Sequence, residues 1–349
     1  MKKYKFAIAG LGRIGKIHLE NLLLMDQVEV VSAMDTQVEG HQFAKKKGID
    51  QIFNSYEQMI KESTIDAVVI CSPTDTHADY VQMAAYAGIA VFCEKPLDLN
   101  LGRVLEVLKL VESKGIKLML GFNRRFDQEF LKVKKLVAQG AIGNHHLVKI
   151  TSRDPQAPPI SYVVQSGGLF LDMTIHDFDM ARFLVDKEVV EVYAKGAALI
   201  NPELSRVGDI DSAVITLTYE DGTMAIIDNS REAAYGYDQR VEVFGSKGMV
   251  KADNNLHDTH QLFNSEGSHA ALPLHFFLER YAAAYKTEIG EFIYALSNNT
   301  DLPVDGNDGL QSLKIGLAAI KSIKENRPVK TAEINRNQEI SLIIDEPSI

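Results

Sequence analysis

Cysteine is scarce in this 349-residue chain: only Cys71 and Cys93 are present. Each closes a short apolar run, residues 67–71 and 89–93. Two buried, reduced thiols in neighbouring strands are therefore expected, rather than a disulfide or a metal site. Positive charge is also short, with 37 Lys and Arg against 47 Asp and Glu and a net charge of −10. That balance argues against a nucleic-acid partner, because phosphate binding needs a basic surface. No apolar run reaches the roughly 20 residues needed to span a membrane. No signal-peptide pattern precedes the first strand-like segment. Internal repeats and low-complexity stretches are lacking too. The expectation is a cytoplasmic protein with neither membrane nor nucleic acid as partner.

What is present suits a folded enzyme-sized chain. Apolar residues make up 46% and charged residues 24%, ordinary values for a globular protein with sizeable cores. The length favours two domains. Up to about residue 121, short apolar runs (6–9, 28–34, 67–71, 90–93, 117–120) alternate with helix-period segments (16–25, 41–47, 56–62, 77–87, 102–114). Gly48, Gly88 and Gly115 stand where helix-ending glycines belong. Such alternation predicts an α/β fold, a Rossmann-type doubly wound parallel sheet over residues 1–122. Ligands in that architecture bind at the carboxyl ends of the strands.

The second half reads differently. After a linking helix over 126–139, strand patterns run over 145–151, 189–197, 212–219, 223–230, 240–244 and 249–251. Asp221-Gly222 and Ser246-Lys247-Gly248 mark turns between them. Two helices follow, over 277–297 and 306–324. The expectation is an α+β domain over 123–330, with an open, largely antiparallel sheet that binds substrate and mediates oligomerisation. Residues 331–349 are left as an unassigned tail. In the strand over 212–219, Val214, Thr216 and Thr218 alternate with Ile215, Leu217 and Tyr219, leaving no clearly polar face. Burial on both sides, and hence a homo-oligomer, is expected.

The first run is followed at once by Gly10-Leu11-Gly12-Arg13-Ile14-Gly15 and a helix, and Asp35 ends the second run twenty residues after Gly15. This is the dinucleotide fingerprint in its required context. Gly10 permits a tight turn, Gly12 lets backbone approach a pyrophosphate, and Gly15 lets helix pack on strand. Arg13 and Ile14 open a helix whose N-terminal N–H groups face the phosphates. Asp35 would accept hydrogen bonds from the adenosine ribose hydroxyls and repel a 2′-phosphate. NAD is therefore expected over NADP.

Two further elements carry chemistry. Glu94-Lys95-Pro96 directly follows a strand, which puts Lys95 where it could share a proton with a hydroxyl or carbonyl. In residues 166–184 a helix is expected to begin near Gly167-Gly168, with Asp172, His176, Asp179 and Phe183 on one face. A carboxylate four residues from an imidazole can orient it as a general base. A satisfied core His–Asp pair is the plainer reading of the same spacing. Asp172, His176 and Asp179 would be the ligands if a metal were held, but no other His or Cys cluster completes a shell, and no metal is expected. His18, on the first helix, is expected to pack.

Gly10 to Gly15, Glu94-Lys95-Pro96 and the run Gly168-Leu169-Phe170-Leu171-Asp172-Met173-Thr174-Ile175-His176-Asp177 together resemble the glucose–fructose oxidoreductase/inositol dehydrogenase family (Gfo/Idh/MocA). The resemblance is closer to the inositol 2-dehydrogenase branch. Gly121-Phe122-Asn123-Arg124-Arg125-Phe126-Asp127 looks like its GFMRRYD segment, Ser152-Arg153-Asp154-Pro155 like its SRDP motif, and Tyr235-Gly236-Tyr237-Asp238 like its YGYD segment. The resemblance implies NAD-linked oxidation of a ring hydroxyl of a cyclic polyol, most readily myo-inositol, to a ketone, by a dimer or tetramer. It implies Lys95, Asp172 and His176 as the catalytic set. It adds Asn123, Arg124, Asp154 and Tyr235 as substrate positions, and Ser72, Pro73, His77 and Glu94 beside the cofactor. Asn123 stands where the pattern has Met, which adds hydrogen-bonding capacity at an apolar position. Other readings of the frame are a dehydrogenase of another sugar or inositol isomer, an NAD-dependent glycosidase, or a non-catalytic NAD-binding protein.

Overall fold

The computed structural model describes residues 3–336, so positions 337–349 of the unassigned tail lie outside the described residues. The described chain falls into two compact units. The first comprises residues 3–123, 284–311 and 336; the second comprises 124–283 and 312–335.

The first unit runs β1 (Tyr4–Ala9), α1 (Arg13–Leu23), β2 (Val28–Met34), α2 (Val38–Lys46), β3 (Gln51–Phe53), α3 (Tyr56–Glu62), β4 (Ala67–Ile70), α4 (Thr74–Tyr86), β5 (Ala90–Cys93), α5 (Leu101–Lys114) and β6 (Leu118–Leu120). The strands pair in parallel in the order β3-β2-β1-β4-β5-β6, the doubly wound arrangement expected from the alternating pattern. The central strands read as unbroken apolar runs because both faces are covered: every residue of β4 is buried. The short edge strand β3 carries no such run, and the sequence pattern did not mark it. Gly48, Gly88 and Gly115 adopt positive φ where their helices end, as expected of that residue at that place.

The second unit runs α6 (Gln128–Ala138), β7 (His145–Arg153), α7 (Ile160–Ser166), a π turn (Leu169–Met173), α8 (Ile175–Val185), β8 (Val189–Ala197), α9 (Glu203–Arg206), β9 (Ser212–Tyr219), β10 (Met224–Ser230), β11 (Asp238–Gly245), β12 (Gly248–Ala252), β13 (Gln261–Asn264), β14 (Gly267–Ala270) and α10 (Phe277–Arg280). After α11 (Ala282–Asn298) and α12 (Gly306–Glu325), β15 (Val329–Lys330) completes a sheet ordered β12-β11-β7-β10-β9-β8-β15. Only the β7–β10 pair in it is parallel. One face is core: Ala213, Ile215, Leu217, Tyr219, Ala225 and Ile227 are buried. The other is not, for Val214 is 54% and Met224 53% exposed. Burial of β9 on both sides, expected from its composition, is thus met on one side only within this chain.

The domain boundaries also need correction. Residues 284–311 were expected in the second domain, but they pack into the first unit. The Phe292 ring meets Phe6 edge-on at 6.1 Å and Phe92 at 6.0 Å, and Ile289 and Ile293 are buried beside it. The apolar stripe of α11 is long enough to cover a second element, and it covers the parallel sheet. A sequence read in order does not reveal such a return.

Candidate active site

At the crossover of the parallel sheet, Gly10 has φ +88°, and a Cβ there would meet the Cys71–Ser72 peptide at 2.6 Å. A Cβ on Gly15 would lie 1.9 Å from the Gly10 carbonyl oxygen, whereas one on Gly12 meets nothing within 4 Å. The first and third glycines thus serve packing, and the second leaves open space beside the start of α1. That helix has no side-chain cap and no acidic residue in its first turn. Its orphan N–H groups and positive dipole end, with Arg13 and Ile14 leading the turn, fit a diphosphate. Asp35 directly follows β2 and is nearly buried. Its Oδ2 accepts the Leu11 N–H at 2.6 Å and its Oδ1 the Gln37 N–H at 2.7 Å. The acid expected at the ribose therefore also grips the glycine-rich turn. Each carboxylate oxygen keeps lone-pair capacity for a ribose hydroxyl. These residues fit a dinucleotide.

The loops after β4 and β5 are tied together by His77. Its Nε2 lies 2.8 Å from the Ser72 carbonyl oxygen and its Nδ1 2.8 Å from that of Pro96. Burial lowers its pKa despite the two carbonyl contacts, which favour the charged ring. Ser72 shares a 2.6 Å hydrogen bond with Thr76, and Pro73 precedes the first turn of α4. His77 thus anchors the loop that carries Lys95. Glu94, expected beside the cofactor, directs Oε1 to His18 Nε2 at 2.8 Å. His18 is fully buried, as expected.

In the second unit the expected single helix over 166–184 is broken. Gly167 and Gly168 both have positive φ, at +87° and +74°, and the π turn intervenes before α8. A Cβ on Gly168 would strike Asp209 Oδ1 at 2.6 Å, and that same oxygen accepts the Leu169 N–H at 3.1 Å. Asp209 therefore shapes the turn that carries Asp172. A π turn winds more slowly than an α-helix, so the stripe from Asp172 to Phe183 is not one α-helical face.

Asp172 is held from two directions. Arg231 donates to its Oδ2 at 3.1 Å and the Tyr162 hydroxyl to its Oδ1 at 3.1 Å. The same guanidinium lies 3.8 Å from Asp154. Burial pushes the Asp154 carboxyl up to about 6, opposed by Arg231 and reinforced by Asp172. His176, half-buried, follows the π turn in the first turn of α8.

Arg124, expected at the substrate, donates to Asp177 Oδ1 at 2.5 Å and faces the Ser152 hydroxyl at 3.4 Å. Asn229 donates to the other Asp177 oxygen at 2.9 Å. Burial would lower the Arg124 pKa, but Tyr281 and Asp177 more than offset it, and the group stays charged. Arg125 makes a two-pronged pair with Asp179, at 2.6 and 2.8 Å. Asp179 is thereby occupied, which removes it from the alternative metal-ligand set. Asn123 is buried at the end of the first unit's segment. Tyr235, expected at the substrate, is bonded to neighbours on β7 and β11. Its hydroxyl donates to Asp238 at 2.6 Å and accepts from Arg153 at 3.0 Å, and it lines a hollow with Val214, Asp228 and Glu232.

Sequence reasoning missed Arg231, Asp177, Asp209, Asn229 and Glu288. No motif marks Arg231 or Asn229, which lie at the end of β10. Asp177 was within the quoted run, but a uniform helix put it off the chosen face.

Residues 4–122 match the oxidoreductase family with an NAD-binding Rossmann fold, and residues 130–251 match the GFO/IDH/MocA C-terminal domain. The chain is 48% identical over 329 residues to the uncharacterized oxidoreductase YrbE of Bacillus subtilis, covering 94% of this chain and 96% of that one. It is 44% identical over 331 residues to the myo-inositol 2-dehydrogenase of Thermotoga maritima, covering 95% and 99%. A crystal structure of scyllo-inositol dehydrogenase from Lactobacillus casei, with bound NAD(H) and scyllo-inositol, superposes with a TM-score of 0.89 at 35% identity. It covers 95% of this chain and 100% of that one. The glycine turn, the Glu-Lys-Pro loop and the Asp172 turn thus sit in a protein that belongs to the GFO/IDH/MocA oxidoreductase family, with its NAD-binding Rossmann fold.

Proposed function

We propose that this chain oxidises one ring hydroxyl of a cyclic polyol of the inositol class to a ketone, with NAD as acceptor. The observation that carries the reading is the half-buried pair Asp154 and Asp172 gathered on the buried Arg231. Such a set of charged hydrogen-bonding groups suits a ligand that is polar on every edge, and it discriminates because a wrong ligand leaves its members unpaired. The names of near full-length relatives support the same substrate class. Asp154 and Asp172 accept hydrogen bonds from ring hydroxyls. Asn123 and Arg124 complete the expected substrate contacts. His176 takes the hydroxyl proton as general base, with Lys95 sharing it, and Asp172 keeps His176 oriented. Bound NAD supplies the hydride acceptor. The overall step forms the C=O bond, breaks one C–H and one O–H bond, and releases one proton per NAD reduced.

The uncovered face of the second sheet supports a homo-oligomer, dimer or tetramer, since exposed apolar side chains such as Val214, Met224, Phe244 and Met249 gather there. The free thiols of Cys71 and Cys93 suit a reducing cytoplasm. Among the described residues, no helix is long and apolar enough to cross a membrane.

The test is NADH formation, followed by absorbance, with myo-, scyllo- and chiro-inositol and several aldoses, and with NADP as the control cofactor. Turnover with an inositol and NAD is expected. Absence of NADH with every cyclic polyol would overturn the reading. Light scattering decides the oligomer: a monomer contradicts it.

A further inference from the structure

Behind the Lys95 loop lies a buried group of three ionisable side chains that the proposed reaction does not use. His18 from α1, Glu94 after β5 and Glu288 from α11 bring a nitrogen and two carboxylate oxygens within 4.8 Å of one another. The His18 ring is fully buried, with Phe92 at 5.0 Å and Tyr285 at 5.7 Å. The Glu288 side chain has no solvent exposure, and neither oxygen has a hydrogen-bond partner, although Oε1 lies 3.8 Å from His18 Nε2.

Such a group could hold a divalent cation or a proton, and the tautomer of His18 decides between them. Its Nδ1 is buried without a partner. If Nε2 bound a metal, Nδ1 would have to carry the ring proton as an unsatisfied buried donor, whereas metal-bound imidazoles give that proton to an acceptor. With the proton on Nε2, the ring donates to Glu94 at 2.8 Å and leaves only an acceptor lone pair unmet among aromatic rings. For the His18 ring, the second arrangement leaves no N–H donor unmet. It places Glu288 as the third member beside an already bonded carboxylate. Two carboxylates so close, one of them without solvent or partner, cannot both ionise at little expense.

We propose that Glu288, held as a neutral carboxylic acid, and His18 are positioning residues that fix Glu94 and through it the backbone of Lys95. The inference rests on the reading of Lys95 as a catalytic residue. Glu94 is restrained on its other bonds too: its N–H donates to the Ile70 carbonyl at 2.9 Å, and its carbonyl accepts the Cys93 thiol at 3.3 Å. A Cβ on Gly121 would come within 2.9 Å of its carboxylate, so a glycine is needed beneath it. On the far side of Lys95, His77 holds the Pro96 carbonyl. The lysine is thus flanked by two anchored residues, Glu94 and Pro96.

The ionisable groups around the Glu94–Glu288 pair are His18, the Cys71 thiol, which feels both carboxyls, and the Cys93 thiol, which feels Glu94, with Tyr285 against His18 on the helix of Glu288. Burial pushes both thiols up, so they stay neutral and add no charge. Burial, reinforced by Glu94, likewise pushes Glu288 up. A carboxyl raised in the folded state makes the fold lose stability as pH climbs above its unfolded value toward its folded one.

The experiment compares wild type with Glu288→Gln and Glu288→Leu. Melting temperature is read from pH 5 to 9 with and without EDTA, together with NAD affinity, kcat and KM. Gln, which copies the neutral acid, is expected to gain on wild type as pH rises, with no effect of EDTA, and to keep kcat near the wild-type value. Leu is expected to fold and bind NAD but to lose kcat by about tenfold or more, with a smaller change in the polyol KM. A Gln variant that loses stability progressively with rising pH, or a wild type that EDTA destabilises, would show an ionised, cation-bound Glu288 and overturn the proposal. So would a Leu variant with unchanged kcat. A wild type that makes no NADH counts against the polyol reading instead, while the melting curves still decide the state of Glu288.

Discussion

Arg231 donates to Asp172 across 3.1 Å while standing 3.8 Å from Asp154, so one buried guanidinium holds two of the carboxylates proposed to bind the polyol. Arg231→Gln removes the charge but keeps a hydrogen-bonding head. Asp172 then loses its charged partner, and a shift of its carboxylate by about 1 Å lowers kcat/KM about 10²-fold. NAD affinity stays near the wild-type value. Steady-state kinetics and a binding titration check this together.

The pH dependence follows from Asp154, whose carboxyl is raised from 3.8 to about 6. Ionised, it accepts from ring hydroxyls with both oxygens and more strongly than the neutral acid, so kcat/KM for the polyol falls as pH drops through about 6. Its effect on folding has the opposite sense. Because burial disfavours the carboxylate, the stability penalty is absent below pH 3.8, grows as pH rises toward 6 and is complete above. Asp154→Asn is therefore expected to melt higher than wild type at pH 7 and no higher at pH 3.5. In Arg231→Gln the acidic limb moves upward, since the cation that lowers Asp154 is gone.

Asp177 carries the buried pair with Arg124 and accepts Asn229 as well. Asp177→Ala strands a guanidinium that is only 4% exposed. The expected loss is about 3–5 kcal/mol, read as a lower urea midpoint with an unchanged slope. A loss confined to activity would mean that Arg124 finds another partner.

Gly15→Ala tests the glycine turn. The added methyl would lie 1.9 Å from the Gly10 carbonyl oxygen, which cannot retreat without moving the loop. Overpacking of this kind costs about 1–3 kcal/mol, and weaker NAD binding is expected along with it. Gly12→Ala meets nothing within 4 Å, so its effect should fall on NAD affinity and not on urea stability.

The parallel sheet was legible because its order comes from local signals: β2 and β5 match their apolar runs residue for residue. Gly10, Gly15 and Asp35 were legible for the same reason, being fixed by one turn and the strand beside it. What escaped depends on contacts distant in sequence. Glu288 meets His18 from 270 positions away, and Arg231 meets Asp172 from 59. The helix over 166–184 failed on a local cause, since nothing in Leu169-Phe170-Leu171-Asp172-Met173 distinguishes a π turn from an α turn.

The double grip of Asp35 on Leu11 and Gln37 bears on any attempt to redesign coenzyme choice. Exchanging that acid for a neutral residue to admit a phosphorylated ribose would also leave two main-chain donors without their acceptor. A successful conversion would need both amides to find new acceptors, with a cation supplied from elsewhere; Asn keeps only one of the two, because its amide nitrogen donates.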